Sequence, residues 1–298
     1  MKSYDAVVVG GRGAVGTLLA GLLVSDGLSV VTVDVDATGD PQHGCDHVQG
    51  NIVDPDDTLR ELLASTTVVV LAVPESVALA AQVPNSGRDI LLVETLSVKS
   101  RFASSVEARW TQASVLGINP MFAPSLGMDG RPVAAVVHRD GPRVGEFLAR
   151  LETWGGLIVR VNADEHDRVA AATQALTHAA VLAFGSALAS LDVDPALVHA
   201  LAPPPARTAL ALLARVTGGE PEVYWDVQSG NPHAVTARSA LASAMSELNS
   251  VVEDGVVPDF EKFLDRAESG LPDPAGYAAL CAALFGIVRE QGREENRS

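Results

Sequence analysis

The sequence predicts an α/β amino-terminal half built on a parallel sheet, followed by an all-helical half. Three observations carry this. Short β-branched runs alternate with helical patterns up to about residue 161, a glycine-rich turn joins the first run to the first helix, and no strand-like run follows residue 163. Continuous apolar strands separated by helices belong to a parallel sheet covered on both faces, because each crossover lays a helix on the sheet.

The expected strands are Ala6–Val9, Ser29–Asp34, Thr67–Val73, Ile90–Val93, Ser114–Gly117, Val133–Val137 and Leu157–Val161. A helix over 14–26 closes at Asp26-Gly27, and another lies near 142–153. Residues 164–191, 195–201, 205–217, 234–254, 258–269 and 273–291 read as helices. The change of pattern divides the chain into domains 1–162 and 163–298.

The chain has 298 residues, 47% hydrophobic and 19% charged, with a formal net charge of −16. That field argues against nucleic acid and anionic membrane surfaces as partners. Cys45 and Cys281 lie too far apart in sequence to suggest a disulfide framework or a metal cluster, and no metal is expected. The first apolar run meets a glycine turn rather than a cleavage site, and no uninterrupted apolar run approaches the roughly 20 residues that span a bilayer. The expectation is a cytoplasmic protein.

Gly11-Arg12-Gly13-Ala14-Val15-Gly16 fits G-x-G-x-x-G between a strand and a helix, the context that gives the pattern weight. Gly11 is expected to make the tight turn. Gly13 is expected to admit a pyrophosphate, and Gly16 to let helix and strand pack closely. Amides at the helix start carry partial positive charge toward phosphates. Asp34 ends the second strand, where a carboxylate can bond both ribose hydroxyls of NAD and would repel a 2′-phosphate. Asp36 could share that role. Pro74, which closes the run Thr67–Val73, is assigned to the same cofactor site. The amino-terminal domain is thus expected to be a Rossmann-type NAD-binding domain.

Further motifs follow in order: Glu94-Thr95-Leu96-Ser97-Val98-Lys99, Leu116-Gly117-Ile118-Asn119-Pro120-Met121-Phe122-Ala123-Pro124, Trp154-Gly155-Gly156, Asp164-Glu165-His166-Asp167-Arg168, Gln174-Ala175-Leu176-Thr177-His178, Arg207, and Pro221-Glu222-Val223-Tyr224-Trp225-Asp226. With the glycine loop, their order and spacing resemble the prephenate/arogenate dehydrogenase family over nearly the whole chain. The resemblance implies oxidation at C4 of a cyclohexadiene dicarboxylate with loss of the ring carboxylate as CO2. It also implies a homodimer formed through the helical half, with each active site in a cleft between the two domains. A bare catalytic unit is expected, without the mutase or regulatory extensions of some members.

Site roles carry over by resemblance. Ser97 bonds the reacting group and orients the catalytic residue, or else is a helix N-cap before Val98-Lys99. Arg207 clamps a substrate carboxylate through its planar guanidinium. Gln174 and His178 share a helix face toward substrate. Lys99 either holds a substrate carboxylate or lies on the surface. His166 is expected to fix the start of the helical domain rather than serve chemistry.

The departure is Asn119, which stands where the family keeps a histidine that accepts a proton. Hydride loss from a C4 alcohol leaves a very acidic protonated carbonyl, and a base beside it accelerates the step by about 10²–10⁴-fold. A neutral amide is no such base. A C4 amine instead leaves an iminium ion that needs no deprotonation, only an acceptor for an N–H, which the Asn119 carbonyl supplies. The expected substrate is therefore 4-amino-4-deoxyprephenate, giving 4-aminophenylpyruvate. Alternatives are prephenate or arogenate, with His178 or water taking the proton, and a non-catalytic NAD-binding protein.

Overall fold

The computed structural model describes residues 2–36, 44–84 and 89–295. Two compact units result, Met1–Ala170 and Ala171–Ser298. The first holds strands β1 (Ala6–Val9), β2 (Val30–Asp34), β3 (Asp46–Gln49), β4 (Val68–Leu71), β5 (Leu91–Glu94), β6 (Ser114–Pro120), β7 (Pro132–Arg139) and β8 (Leu157–Arg160). Among them run helices α1 (Ala14–Ser25), α2 (Asp57–Ser65), α3 (Glu75–Ala80), α4 (Ser100–Arg109), α5 (Pro142–Thr153) and α6 (Ala163–Ala170).

One eight-stranded sheet runs in the order β3-β2-β1-β4-β5-β6-β7-β8. The two-residue period of a strand sends alternate side chains to opposite faces. Ala6 and Val8 therefore join Leu19, Leu23, Phe147 and Leu151 on one face. Val7 and Val9 join Leu59, Leu63, Phe102 and Trp110 on the other. Burial on both faces is why these strands read as unbroken apolar runs.

The sheet departs from the expected parallel pattern at one seam. β7 pairs antiparallel to β6, and β8 then pairs parallel to β7. A parallel pair needs a crossover of a dozen or more residues, usually helical, whereas the β6–β7 connection is a short loop holding one 3-10 turn at Pro124–Leu126. The seam pins the end of β6, since Asn119 and Pro120 pair with Ala134 and Val133.

The second unit is helical: α7 (Leu176–Ser190), α8 (Pro195–Leu201), α9 (Pro204–Thr217), α10 (Pro221–Trp225), α11 (Ala234–Asp254), α12 (Val257–Glu268) and α13 (Pro274–Glu295). The single helix expected over 164–191 is interrupted by a π-turn at Ala171–Ala175, and a second π-turn follows at Asp226–Gly230. The Gln228 side chain donates to the Ala175 carbonyl at 2.8 Å, tying the two π-turns together. The helical run Ala163–Ser190 is 28 residues long and apolar enough, by length and composition, to cross a membrane. Gln174, Thr177, His178 and Ser186 interrupt its apolar character.

Candidate active site

The residues expected to hold a dinucleotide sit at the carboxyl ends of the parallel strands. β1 lies between β2 and β4 there, where the strand order reverses, the usual location of a ligand crevice in such sheets. The tight turn falls at Gly10 rather than Gly11. Gly10 has φ +77°, and a Cβ there would lie 2.1 Å from the Ala72 carbonyl oxygen. Gly11 is closed by Thr32, and a Cβ on Gly16 would meet the Gly10 oxygen at 2.1 Å. Gly13 is exposed and caps α1 with extended backbone. Ala14 and Val15 open the helix, and no side-chain cap or acidic first-turn residue competes for its start.

Asp34 faces this loop. One carboxylate oxygen accepts the Arg12 N–H at 3.3 Å and the other the Val35 N–H at 2.9 Å. Asp36 is exposed and Asp34 half-buried, so the loop-facing carboxylate is Asp34. Pro74 caps α3 at the end of β4. This glycine cradle, uncapped helix start and facing carboxylate fit a dinucleotide. Gly10→Ala is expected to destabilise the unit by about 1–3 kcal/mol, because alanine is strained at that φ and its Cβ has no room. Urea unfolding followed by Trp110 and Trp154 fluorescence tests this, and an unchanged midpoint would refute the assignment of the turn.

The second cluster lies at the ends of β5 and β6. Lys99 corrects both sequence expectations, for it neither reaches solvent nor stands free for substrate. It is fully buried, donating to Glu94 Oε2 at 2.7 Å and to the Ile118 carbonyl at 2.8 Å. Glu94 also accepts the Leu96 N–H at 2.7 Å and pairs with His138 Nε2 at 2.9 Å. The pair passes over Gly117, where a Cβ would lie 2.1 Å from Glu94 Oε1. Burial opposes ionisation of Glu94, but Lys99 and His138 outweigh it and hold the carboxyl below its ordinary range. Burial also lowers Lys99, with Glu94 opposing.

Asn119 is 4% exposed, at the carboxyl end of β6. Its Nδ2 lies 3.1 Å from His166 Nε2, and His166 Nδ1 lies 2.8 Å from Asp167 Oδ1. Asp167 also accepts the N–H groups of Lys99 (2.8 Å) and Ser100 (2.9 Å) and the Ser100 hydroxyl. Burial would raise the Asp167 carboxyl, but the hydrogen bonds from His166, Ser100 and the two amides hold it below the carboxylate range. This corrects two expectations. Ser97 is not the cap of the following helix, because α4 begins at Ser100 and the Asp167 carboxylate, 67 positions further on, accepts its first amide as well as that of Lys99 before it. His166 does not merely start the helical half, since it is bonded to the candidate site itself. Ser97 is half-buried, and its hydroxyl bonds none of the described residues.

The other predicted residues belong to the helical unit. Gln174 sits in the π-turn, so regular α spacing from Gln174 to His178 does not hold there. His178 packs edge-on against Tyr224 at 4.9 Å, and its buried Nδ1 has no partner among the described residues. Burial, then Arg215, lowers its pKa. Arg207 is half-buried on α9, donating only Nε to the Ala202 carbonyl at 3.2 Å. Its two Nη groups engage none of the described residues. Among those residues no group of three or more His, Cys, Asp or Glu is arranged to hold a metal ion.

Sequence reasoning missed the pairs Glu94–His138 and His166–Asp167. A glutamate closing the run Leu91-Leu92-Val93 was the available signal, since a carboxylate at the end of a buried strand requires a partner.

A dinucleotide-type site on a doubly wound sheet, followed by a helical unit, is the architecture of a two-domain nucleotide-binding protein. The family described as "Prephenate dehydrogenase, dimerization domain" matches residues 162–266. A 4-amino-4-deoxyprephenate dehydrogenase of Streptomyces pristinaespiralis is 44% identical over 294 residues, 98% of this chain and 93% of that protein. The T-protein of Enterobacter agglomerans is 30% identical, over 90% of this chain and 68% of that one. The fold is similar to that of a prephenate dehydrogenase from A. aeolicus in complex with hydroxyphenyl propionate and NAD+. That likeness has a TM-score of 0.68 and 15% identity, over 90% of this chain and 96% of the other. The chain belongs to the prephenate dehydrogenase family of oxidoreductases.

Proposed function

We propose that this chain oxidatively decarboxylates 4-amino-4-deoxyprephenate to 4-aminophenylpyruvate with NAD. The carrying observation is Asn119, an amide where the family's proton acceptor stands, held so that Nδ2 is occupied and Oδ1 bonds none of the described residues. The name and 44% identity of the Streptomyces pristinaespiralis relative support the same substrate. NAD, when bound, supplies the hydride acceptor. Asn119 accepts an N–H of the substrate amine and carries no charge to repel the cation that develops there. The lone pair of the unprotonated amine becomes the C=N bond as hydride leaves C4, so the nitrogen bears the positive charge and no side chain need take a proton in that step. The ring carboxylate then departs as CO2, and its electron pair makes the product aromatic. Arg207 offers a substrate carboxylate two Nη groups that engage none of the described residues. Ser97 offers the reacting group a hydroxyl that bonds none of the described residues. Gln174 and His178 complete the substrate contacts.

Asp34 supports NAD over NADP, because its carboxylate faces the glycine loop and opposes a 2′-phosphate. A homodimer through the helical unit accounts for that unit's surface. Among the described residues its buried apolar cluster is only Ala175, Val227 and Ala234. Leu182, Phe184, Met245, Leu280 and Ile287 are all more than a third exposed. The protein is read as cytoplasmic.

A second reading keeps prephenate or arogenate, with His178 as base. Its support is the buried Nδ1 of an imidazole whose pKa burial lowers, with no partner for that nitrogen among the described residues. The discriminating experiment measures NADH formation on aminodeoxyprephenate, prephenate and arogenate. The amino substrate is expected to exceed prephenate in kcat/KM by about 10²-fold or more, the scale of a missing general base. Equal efficiency on prephenate would overturn the proposal.

A further inference from the structure

We propose that His166, held by Asp167, is a positioning residue that decides which end of the Asn119 carboxamide is presented to substrate. The inference deepens the reading of Asn119 as an N–H acceptor and rests on it. A carboxamide can turn by half a revolution and exchange a donor for an acceptor at nearly equal cost, so something must choose. Here the choice passes along a chain of three buried side chains: Asn119, His166 and Asp167 are 4%, 2% and 0% exposed.

The ordering begins at Asp167. Its carboxylate takes two backbone amides and the Ser100 hydroxyl, as well as His166. An ionised carboxylate is acceptor-only, so His166 must donate to it from Nδ1. In a neutral imidazole that leaves Nε2 as an acceptor. Asn119 must then offer its NH2 to Nε2, which turns Oδ1 away from the imidazole. Were Nε2 protonated instead, Oδ1 would turn inward and the NH2 would face the substrate. An NH2 cannot accept the amine N–H and adds partial positive charge beside a forming cation.

Asp167 also ties this chain to the loop that carries Ser97. Its two amide contacts form the start of α4, immediately after Ser97-Val98. One carboxylate therefore sets both the amide and the beginning of that helix. For this reason His166, and not Asp167, is the residue to vary.

The test uses the full chain in two measurements. In protein labelled with 15N-histidine, the His166 signal is assigned among the seven histidines by its loss in His166→Gln. The expected state is the neutral Nδ1–H tautomer, with an Nε2 resonance that moves in Asn119→Ala. An Nε2–H tautomer, or no movement, overturns the proposal. Kinetics use whichever of aminodeoxyprephenate, prephenate and arogenate the parent enzyme turns over best. His166→Leu, which lacks an acceptor, is expected to lower kcat about tenfold or more while KM stays within about threefold. His166→Gln, whose Oε1 can take the Asn119 NH2, is expected to recover most of that loss. Equal losses in both variants, or an unchanged kcat in a folded His166→Leu, overturn the role. The tautomer measurement uses no substrate, so failure of the substrate reading leaves it standing, and its own failure leaves the substrate comparison intact.

Discussion

Asn119→His is expected to raise kcat/KM on prephenate by about 10²-fold or more and to lower it on the amino substrate by about tenfold. The structure says why the introduced ring can work. Asn119 already donates to His166 Nε2 at 3.1 Å. An imidazole in its place can donate one ring N–H to the same nitrogen. Its other nitrogen then faces outward as an unprotonated base, oriented by a neighbour already present. A hydroxyl substrate gains the proton acceptor it lacks, a gain of about 2.7 kcal/mol in the barrier for each hundredfold. An amine gains nothing from a base and must form its iminium beside a group that can itself become cationic. Steady-state NADH formation on the two substrates, with parent and variant side by side, reads both effects. If neither rate moves, residue 119 is not beside C4, and the electronic argument for the amino substrate fails with it.

The sheet was legible because its strands are buried on both faces and therefore read as apolar runs. β3 (Asp46–Gln49) was missed because it lies at the sheet's edge with no buried residue. The antiparallel seam was missed because strand direction depends on connection geometry, which residue patterns do not encode. The glycine loop was placed correctly within one residue. The exception is Gly10, where the Ala72 carbonyl, just past the end of β4 and distant in sequence, leaves no room for a Cβ. The same holds at the site. Asn119 could be singled out from its own segment. Its link to His166 spans 47 positions, and that of Asp167 to Lys99 spans 68. Lys99 was misread for a general reason. Lysine is mostly found in solvent, and only its fixed distances to Glu94 and Ile118 reveal a buried cation.

Lys99→Met is expected to destabilise the sheet unit by about 3–5 kcal/mol, the usual cost of removing one partner from a buried ion pair. Methionine nearly matches the aliphatic stem in size, so the loss is electrostatic rather than a cavity. Glu94 would keep His138 and the Leu96 amide but lose the ammonium at 2.7 Å. Adding Glu94→Gln should restore most of the stability, since a neutral amide still bonds His138 without needing a counter-charge. The pH dependence carries the sign. In the parent, Glu94 sits below its unfolded value, so its contribution is complete above about pH 4.3 and is lost as pH falls through the folded value. In Lys99→Met, burial acts with less opposition, so the carboxyl moves up from its value in the parent while His138 still opposes burial. Less of its contribution then survives at neutrality. The deficit between variant and parent should therefore be larger at pH 7 than near pH 4. Urea midpoints followed by Trp110 and Trp154 measure it, and a deficit independent of pH would mean that packing, not charge, is what Lys99 supplies. Because Lys99 Nζ also holds the carbonyl of Ile118, the residue before Asn119, the variant should lose turnover along with stability. Restoring stability with Glu94→Gln should return the fold without returning the full rate.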